Sequence, residues 1–319
     1  MRRFLVRRLV WTVAMLLALS FITFAIFYLL PSADPALIRA GRQPTPELVE
    51  QVRRNLGLER WWGYQYAHYL NRLVFHFDLG RSFFNDAPVR DEILKRFPVT
   101  LYLALGAAVL WLLIGIPVGV LSALRRGTRL DRAAMGLALF GISAPVHWLG
   151  LVCLYLFSRD GQVIRLFPGQ GSCLDFHPIR CAPGFVLPWF TLSLSLAAFY
   201  ARMVRSTLSD TLREDYVRTA RAKGVSERRV VFKHAFRGAL TPTVSMLGVD
   251  VALLAGGAIL VETVFNLPGL GRYAFQAIQS SDLVAIQGVV LFGGMLVILS
   301  NLVVDLLYPL LDPRVGSSA

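Results

Sequence analysis

The chain has 319 residues, of which 55% are hydrophobic and 17% charged, and its mean hydropathy is +0.55. A soluble domain of this length does not need so much apolar material, so the composition points to a membrane protein. A net charge of +13 would suggest nucleic acid on a soluble protein; on a membrane protein the question is where that charge sits.

The opening "MRRFLVRRLVWTV" has the charged and apolar parts of a signal peptide. Its apolar run continues to about Leu30 and ends at "LLPSADP" with no small-residue cleavage pattern, so it reads as a retained first span. Six apolar stretches are long enough for spanning helices, at about 9–30, 99–123, 133–157, 185–206, 239–261 and 285–308. The fourth ends on Arg202 and Arg205, which are expected to snorkel to the interface. The fold class that follows is an all-α membrane protein with six spans and a large loop, 31–98, after the first.

Orientation follows from lysine and arginine. With the N-terminus inside, segments 1–8, 124–132, 202–238 and 309–319 hold 19 basic and 6 acidic residues. Segments 31–98, 158–184 and 262–284 then hold 14 basic and 12 acidic residues. Both termini are therefore expected in the cytoplasm of a multi-pass cell-membrane protein, with a membrane-spanning core over 99–308 and a tail over 309–319.

Within the outer loop, "TPELVEQVRRNLGL" reads as a helix capped at Thr45, with Pro46 first and Leu48, Val49, Val52 and Leu56 on one face. "WWGYQYAHYLNRLVFHF" is aromatic-rich and suits the membrane interface. Cys173 and Cys181 lie in a second outer loop, where a disulfide is preferred over two unpaired thiols. His177 between them gives too few ligands for a metal site.

Prolines 117, 145 and 242 each remove a backbone hydrogen bond within an apolar stretch, and Gly256-Gly257 and Gly293-Gly294 allow close helix approach. His147 sits beside Trp148 at such a bend, and packing there is preferred over a role in a pathway. Asp250 and Asp305 lie inside spans. An ion-coupled secondary transporter would use them as a proton relay; a structural hydrogen bond is the preferred reading. There is no Gly-x-x-x-x-Gly-Lys-Ser/Thr loop, no Gly-x-Ser-x-Gly and no His-Glu-x-x-His, so neither ATP hydrolysis nor another catalytic role is expected of this chain.

The most unusual stretch is "YVRTARAKGVSERRV", residues 216–230. Leu212, Tyr216, Thr219 and Ala220 recur at helical spacing. Lys223 suits a helix C-terminus, Gly224 a left-handed cap, and Ser226 the cap of a second helix. Val230, Val231, His234 and Ala235 then share one side. Two short helices about a sharp corner can dock into a groove of another protein. A solvated loop that only fixes topology is the plainer alternative. DNA binding is disfavoured because membrane spans tether the hairpin at both ends.

These stretches carry a resemblance. "MRRFLVRRL", "HFDLGRSFFNDAPVRDEILKRFPVTLYLAL", "DYVRTARAKGVSERRVVFKHAFRGALTP", "GGAILVETVFNLPGLGRYAFQAI" and "DLLYPLLDPRV" resemble the permease subunits of dipeptide/oligopeptide/nickel ATP-binding-cassette importers. The resemblance implies a type I importer-like fold and a cytoplasmic coupling-helix hairpin over 208–238. The implied partners are a homologous second permease, two cytoplasmic ATPases that bind the ATP, an extracytoplasmic solute-binding protein, membrane lipid and a peptide-like solute. No cofactor and no nucleic acid is implied. Arg218-Thr219-Ala220 stands where the wider class has Glu-Ala-Ala, so the glutamate is missing here. The coupling residues implied are Tyr216, Thr219, Ala220, Ala222, Gly224, Val225 and His234. Glu262, Phe265, Pro268, Gly269 and Gly271 then form an outer gate or binding-protein dock, or else a structured turn between the last two spans; both readings stand.

Overall fold

A computed structural model describes residues 2–29, 36, 45–55, 60–161, 163–171, 173 and 175–311. Leu56, much of the segment 30–44 and the tail beyond 311 lie outside the described residues. The described chain is helical, with two isolated β-bridges and no strands. In chain order the helices are α1 (Arg2–Phe24, continued by a π-helical Ala25–Leu29), α2 (Pro46–Asn55), α3 (Trp62–His76), α4 (Val89–Leu124), α5 (Arg129–Ser143) and α6 (Val146–Phe157). There follow α7 (Pro178–Thr211), α8 (Asp215–Ala222), α9 (Glu227–Arg229, continued by a π-helical Val230–Ala235), α10 (Phe236–Ala255), α11 (Ile259–Val264), α12 (Leu270–Gln279) and α13 (Leu283–Leu311).

Four helices are long and apolar enough to cross a bilayer: Val6–Tyr28, Val89–Leu124, Pro178–Thr211 and Leu283–Val303. Counting two bent pairs as spans gives six. The expected span over 133–157 is broken at the expected bend: α5 and α6 meet at 103°. Proline disfavours helical backbone in the residue before it, and Ala144 is accordingly extended (φ −74°, ψ 129°) before Pro145 opens α6. The other pair, Glu227–Leu240 and Pro242–Ala255, bends by 43° where Pro242 removes a backbone donor. Pro117, by contrast, lies inside the uninterrupted α4. The expected span over 239–261 stops at Ala255, because Gly257 takes φ +131° and turns the chain against Gly271.

The main core joins α4 to α7, the most extensive helix contact in the chain. Small residues set their distance: a Cβ on Gly119 would lie 2.7 Å from the Ala201 carbonyl oxygen, so the two backbones nearly touch. Trp111 and Tyr200 are fully buried beside this seam, with ring centroids 5.9 Å apart. A second core gathers Phe24, Tyr69, Ile93, Leu270 and Phe292 between α1, α3, α4, α12 and α13. The α2 helix starts as expected, with Thr45 Oγ1 accepting from the Leu48 amide at 3.3 Å. Cys173 and Cys181 are joined as a disulfide, with Cα atoms 5.5 Å apart.

Candidate functional site

The basic hairpin is built on the α4–α7 frame. α7 ends at Thr211, the chain turns through residues 212–214, and α8 runs back from Asp215. Its inward stripe is Val217 and Ala220; the return arm adds Val230, Val231 and Ala235, and all five are buried. Most of this stripe packs on Val120, Ala123, Val204, Leu208 and Ala239. Burying such side chains stabilises by about 1.5–3 kcal/mol each for the valines, so the hairpin is held as a solid piece of the helix bundle.

The corner itself is closed by backbone. The Lys223 amide donates to Thr219 O at 3.1 Å, the Gly224 amide to Arg221 O at 2.9 Å and the Val225 amide to Ala220 O at 3.3 Å. Gly224 takes φ +75°, the left-handed region where glycine has no steric penalty, and nothing lies within 4 Å of a Cβ built there. Across the corner Arg221 forks onto Glu227, Nε to Oε2 at 3.1 Å and Nη2 to Oε1 at 2.7 Å. Both side chains are well exposed, so the fork fixes geometry more than it adds stability.

This geometry divides the expected coupling residues. Tyr216, Thr219, Ala222 and Gly224 are exposed on the outer surface. Ala220 faces inward and Val225 is partly buried against the same cluster, so neither offers its full side chain to a partner. His234 is partly buried, and its carbonyl lies 3.5 Å from the Tyr216 hydroxyl. Ser226 does not cap the second arm with its side chain; the Arg229 and Val230 amides donate to its carbonyl instead, at 2.9 and 3.0 Å. Sequence reasoning passed over Phe232, which is 58% exposed on the outer side of the return arm. The available signal was its place opposite Val230, Val231 and Ala235.

A second unpredicted element braces the hairpin end. Asp131, at the start of α5, is buried and accepts from the Ser122 hydroxyl, from the Gly127 amide at 2.9 Å and from Arg205 Nε and Nη2 at 2.7 and 2.8 Å. Arg205 thereby pins the α4–α5 turn to α7.

At the opposite end of α4 lies the segment 262–272. Glu262 is fully buried, accepting from Thr100 Oγ1 at 2.8 Å and from the Arg272 amide at 2.9 Å. Thr100 Oγ1 in turn accepts from the Leu270 amide at 2.8 Å. A Cβ on Gly269 would sit 2.4 Å from the carboxylate, and one on Gly271 would sit 2.6 Å from the Ile259 amide nitrogen. Burial pushes the Glu262 carboxyl above its ordinary value, opposed by the Arg272 N–H and the Thr100 hydroxyl. Phe265 is buried as well, and Pro268 is partly exposed. Four of the five expected gate residues are thus buried in a clasp between α11, α12 and α4, with Pro268 at its partly exposed edge. Nearby, buried Asp282 accepts from the Ser82 hydroxyl and from the Phe83 and Ala285 amides, both at 3.2 Å, tying the segment before α4 to the start of α13.

Inside the spans, Asp250 accepts from the Tyr200 hydroxyl at 2.7 Å, and Asp305 pairs with Arg8 at 2.9 Å. His147 is exposed at the α5–α6 break and not packed in a core. Among the described residues, no group of three or more His, Cys, Asp or Glu side chains is placed to hold a metal ion.

The sequence pattern of binding-protein-dependent transport system inner membrane components matches residues 115–317, and that of their N-terminal region matches residues 1–104. The chain belongs to this family. It is a multi-pass inner-membrane permease of the ATP-binding-cassette importers, a family without the ATPase domain, working with a binding protein and with ATPase partners. The permease is 39% identical over 337 residues to the dipeptide transport system permease protein DppB of Escherichia coli K12, covering 99% of both chains. It is 38% identical over 315 residues to the glutathione transport system permease protein GsiC of Escherichia coli O6:H1, again covering 99% of both. A Brucella abortus protein, named provisionally as a peptide transport system permease, is 41% identical over 317 residues and equally covered.

Proposed function

We propose that this permease is one of two homologous subunits of a type I importer for peptide-type solutes, and that residues 208–238 take up the motion of two cytoplasmic ATPases. The observation that carries the reading is the two-sided hairpin: a hydrophobic base fused to α4 and α7, and an outer face of Tyr216, Thr219, Ala222, Gly224 and Phe232 among exposed arginines. A loop serving only topology needs the charge but not the packed base. The excess of basic residues on the hairpin side supports a cytoplasmic hairpin with both termini on that side. Relatives named for dipeptide and glutathione transport support a peptide-type solute.

In this reading the path lies between the two permeases, and ATP-driven closure of the ATPases pushes the hairpin as a lever. The clasp around Glu262 faces the delivering binding protein and keeps the outer ends of α4, α11 and α12 in fixed relation. Direct contact with the binding protein then falls to exposed neighbours such as Phe84, Phe275 and Ile278.

The test is Gly224→Val beside Gly224→Asn in the assembled transporter, reconstituted with its binding protein. A β-branched residue at φ +75° costs about 1–2 kcal/mol, whereas asparagine tolerates that conformation. Valine should leave membrane insertion intact and lower uptake per ATP several-fold, and asparagine should restore it. Normal coupling in the valine variant would remove the hairpin from the mechanism.

A further inference from the structure

Two adjoining cavities between α1, α3 and α13 take no part in the account above. The first, about 370 Å³, is lined in part by Phe27, Tyr69, Arg72, Asp78, Arg81 and Gln287. The Tyr69 hydroxyl, Arg72 Nε and Gln287 Nε2 are buried there, and none of the three makes a hydrogen bond of good geometry among the described residues, although Thr23 and Gln287 lie near the Tyr69 hydroxyl and Tyr28 near Arg72. The Tyr69 and Gln287 side chains are themselves enclosed, at 6% and 5% exposure. Buried polar groups in proteins are nearly always paired. All three of these atoms can donate, so what they lack is a group rich in acceptor oxygens; the Arg72 guanidinium, whose Nη1 lies 3.8 Å from the Asp78 carboxylate in a loose, half-exposed pair, leaves its Nε side for a further acceptor.

The second cavity, also about 370 Å³, is apolar, with Leu16, Leu19, Leu73, Val74, Phe292 and Met295 among its lining. Leu79 lines both, so the two lie side by side. Their order along the helices is the same on both sides. The polar cavity meets α13 at 283–287 and α1 at 27–28; the apolar one meets α13 at 291–295 and α1 at 13–20. Eight residues along α13 put the apolar cavity about 12 Å deeper into the span. The polar end thus sits where the apolar spans begin, and the greasy end lies within them. On the flank of α3, Trp61 and Phe75 are 70% and 77% exposed, as aromatic residues are at a membrane interface. Water could satisfy the three donors but would not fill the apolar groove.

We propose that this composite cavity binds one phospholipid molecule, with its phosphate held by Tyr69, Arg72 and Gln287 and one acyl chain in the groove beside Val74. The lipid is a fitted part of the subunit and wedges α1 and α3 against α13.

The test is native mass spectrometry of the assembled transporter released from its membrane in mild detergent. The wild type should retain phospholipid on this permease. Arg72→Gln combined with Gln287→Leu should weaken retention by about tenfold or more, as expected when charge-assisted hydrogen bonds are lost. Val74→Trp blocks the groove from a position already 62% exposed, so it should lower retention without harming the fold. Arg165→Gln, at an exposed site outside both cavities, should retain lipid as the wild type does. In a thermal-shift arm, added phosphatidylethanolamine should stabilise delipidated wild type and inorganic phosphate should not. Equal retention in all variants would mean ordinary annular lipid and would overturn the proposal. So would stabilisation by inorganic phosphate alone with no lipid retained.

Discussion

Replacing Glu262 by alanine should cost the permease about 2–4 kcal/mol of stability. The carboxylate accepts from Thr100 Oγ1 at 2.8 Å and from the Arg272 amide at 2.9 Å, in a site with no exposure. Each donor left buried without an acceptor costs about 1–3 kcal/mol, and relief of the carboxylate's own burial returns part of that sum. Glutamine should fall between, because its amide offers one acceptor and turns an N–H₂ toward the other donor. The assay is chaotrope unfolding of the purified chain in detergent, with Thr100→Val and the double variant completing a cycle. A coupling of about 1 kcal/mol or more between the two positions is expected. Burial raises the Glu262 pKa in the folded protein. Its folded state therefore holds the proton more tightly than the unfolded one. That contribution is fully present below the unfolded value, near 4.5, and is lost as pH rises through the folded value. Glu262→Gln should accordingly flatten the fall in stability with rising pH in that window. A cost under about 0.5 kcal/mol for the alanine variant would refute the buried clasp and return these residues to the surface.

Arg205→Ala removes both Arg205 hydrogen bonds to Asp131 and leaves the carboxylate with only Ser122 and Gly127, so it should destabilise more than the loss of an exposed ion pair would. Thermal unfolding should show that loss, and the joint Asp131→Asn, Arg205→Gln variant should recover part of it. Asp250→Asn still offers an acceptor to the Tyr200 hydroxyl, so ATP-driven uptake in proteoliposomes should stay within about threefold of wild type. An ion-coupled carrier that titrates Asp250 would lose its activity in the same variant.

Local features were legible in the sequence where the physics is local. The long apolar runs of α1, α4, α7 and α13 announce themselves because hydropathy needs no partner. Gly224 was readable because a helix that ends and turns back asks for a residue content at positive φ. Ala220 and Ala222 were both read as docking residues, yet Ala220 turns into the bundle and Ala222 turns out. Their spacing fixes their relative direction, but which one faces α4 depends on where α8 docks. Pro145 marked a bend but not its size, since the 103° turn is set by α6 lying against α7 and α11. Thr100 and Glu262 are 162 residues apart, and Asp131 and Arg205 are 74 apart, so neither bond has any signature within one window of sequence.

Both constellations are attached to one helix. Thr100, which holds Glu262, and Ala123, which packs under the hairpin, both belong to α4, about 35 Å apart along its axis. Pro117 between them would ordinarily weaken α4. Here Gly115 and Gly119 bring the helix backbone onto Ala197 and Ala201 of α7, so α7 splints it on both sides of the proline. Arg205 and Asp131 close the same pair at the hairpin end. Between Ala123 and Thr100 the only proline in α4 is the splinted Pro117, and the other prolines of the pair, Pro98, Pro183 and Pro188, lie toward the outer end, so under the proposed function a push on the hairpin must move the Glu262 clasp with it. Spin labels at Ala222→Cys on the hairpin and Ile278→Cys beyond the clasp measure this directly. Their separation should stay constant within about 2 Å between nucleotide-free and ATP-bound transporter, while each moves relative to the second permease. A large change in that separation within one subunit would mean that α4 hinges, and transmission would then have to run through α10 and its 43° bend instead.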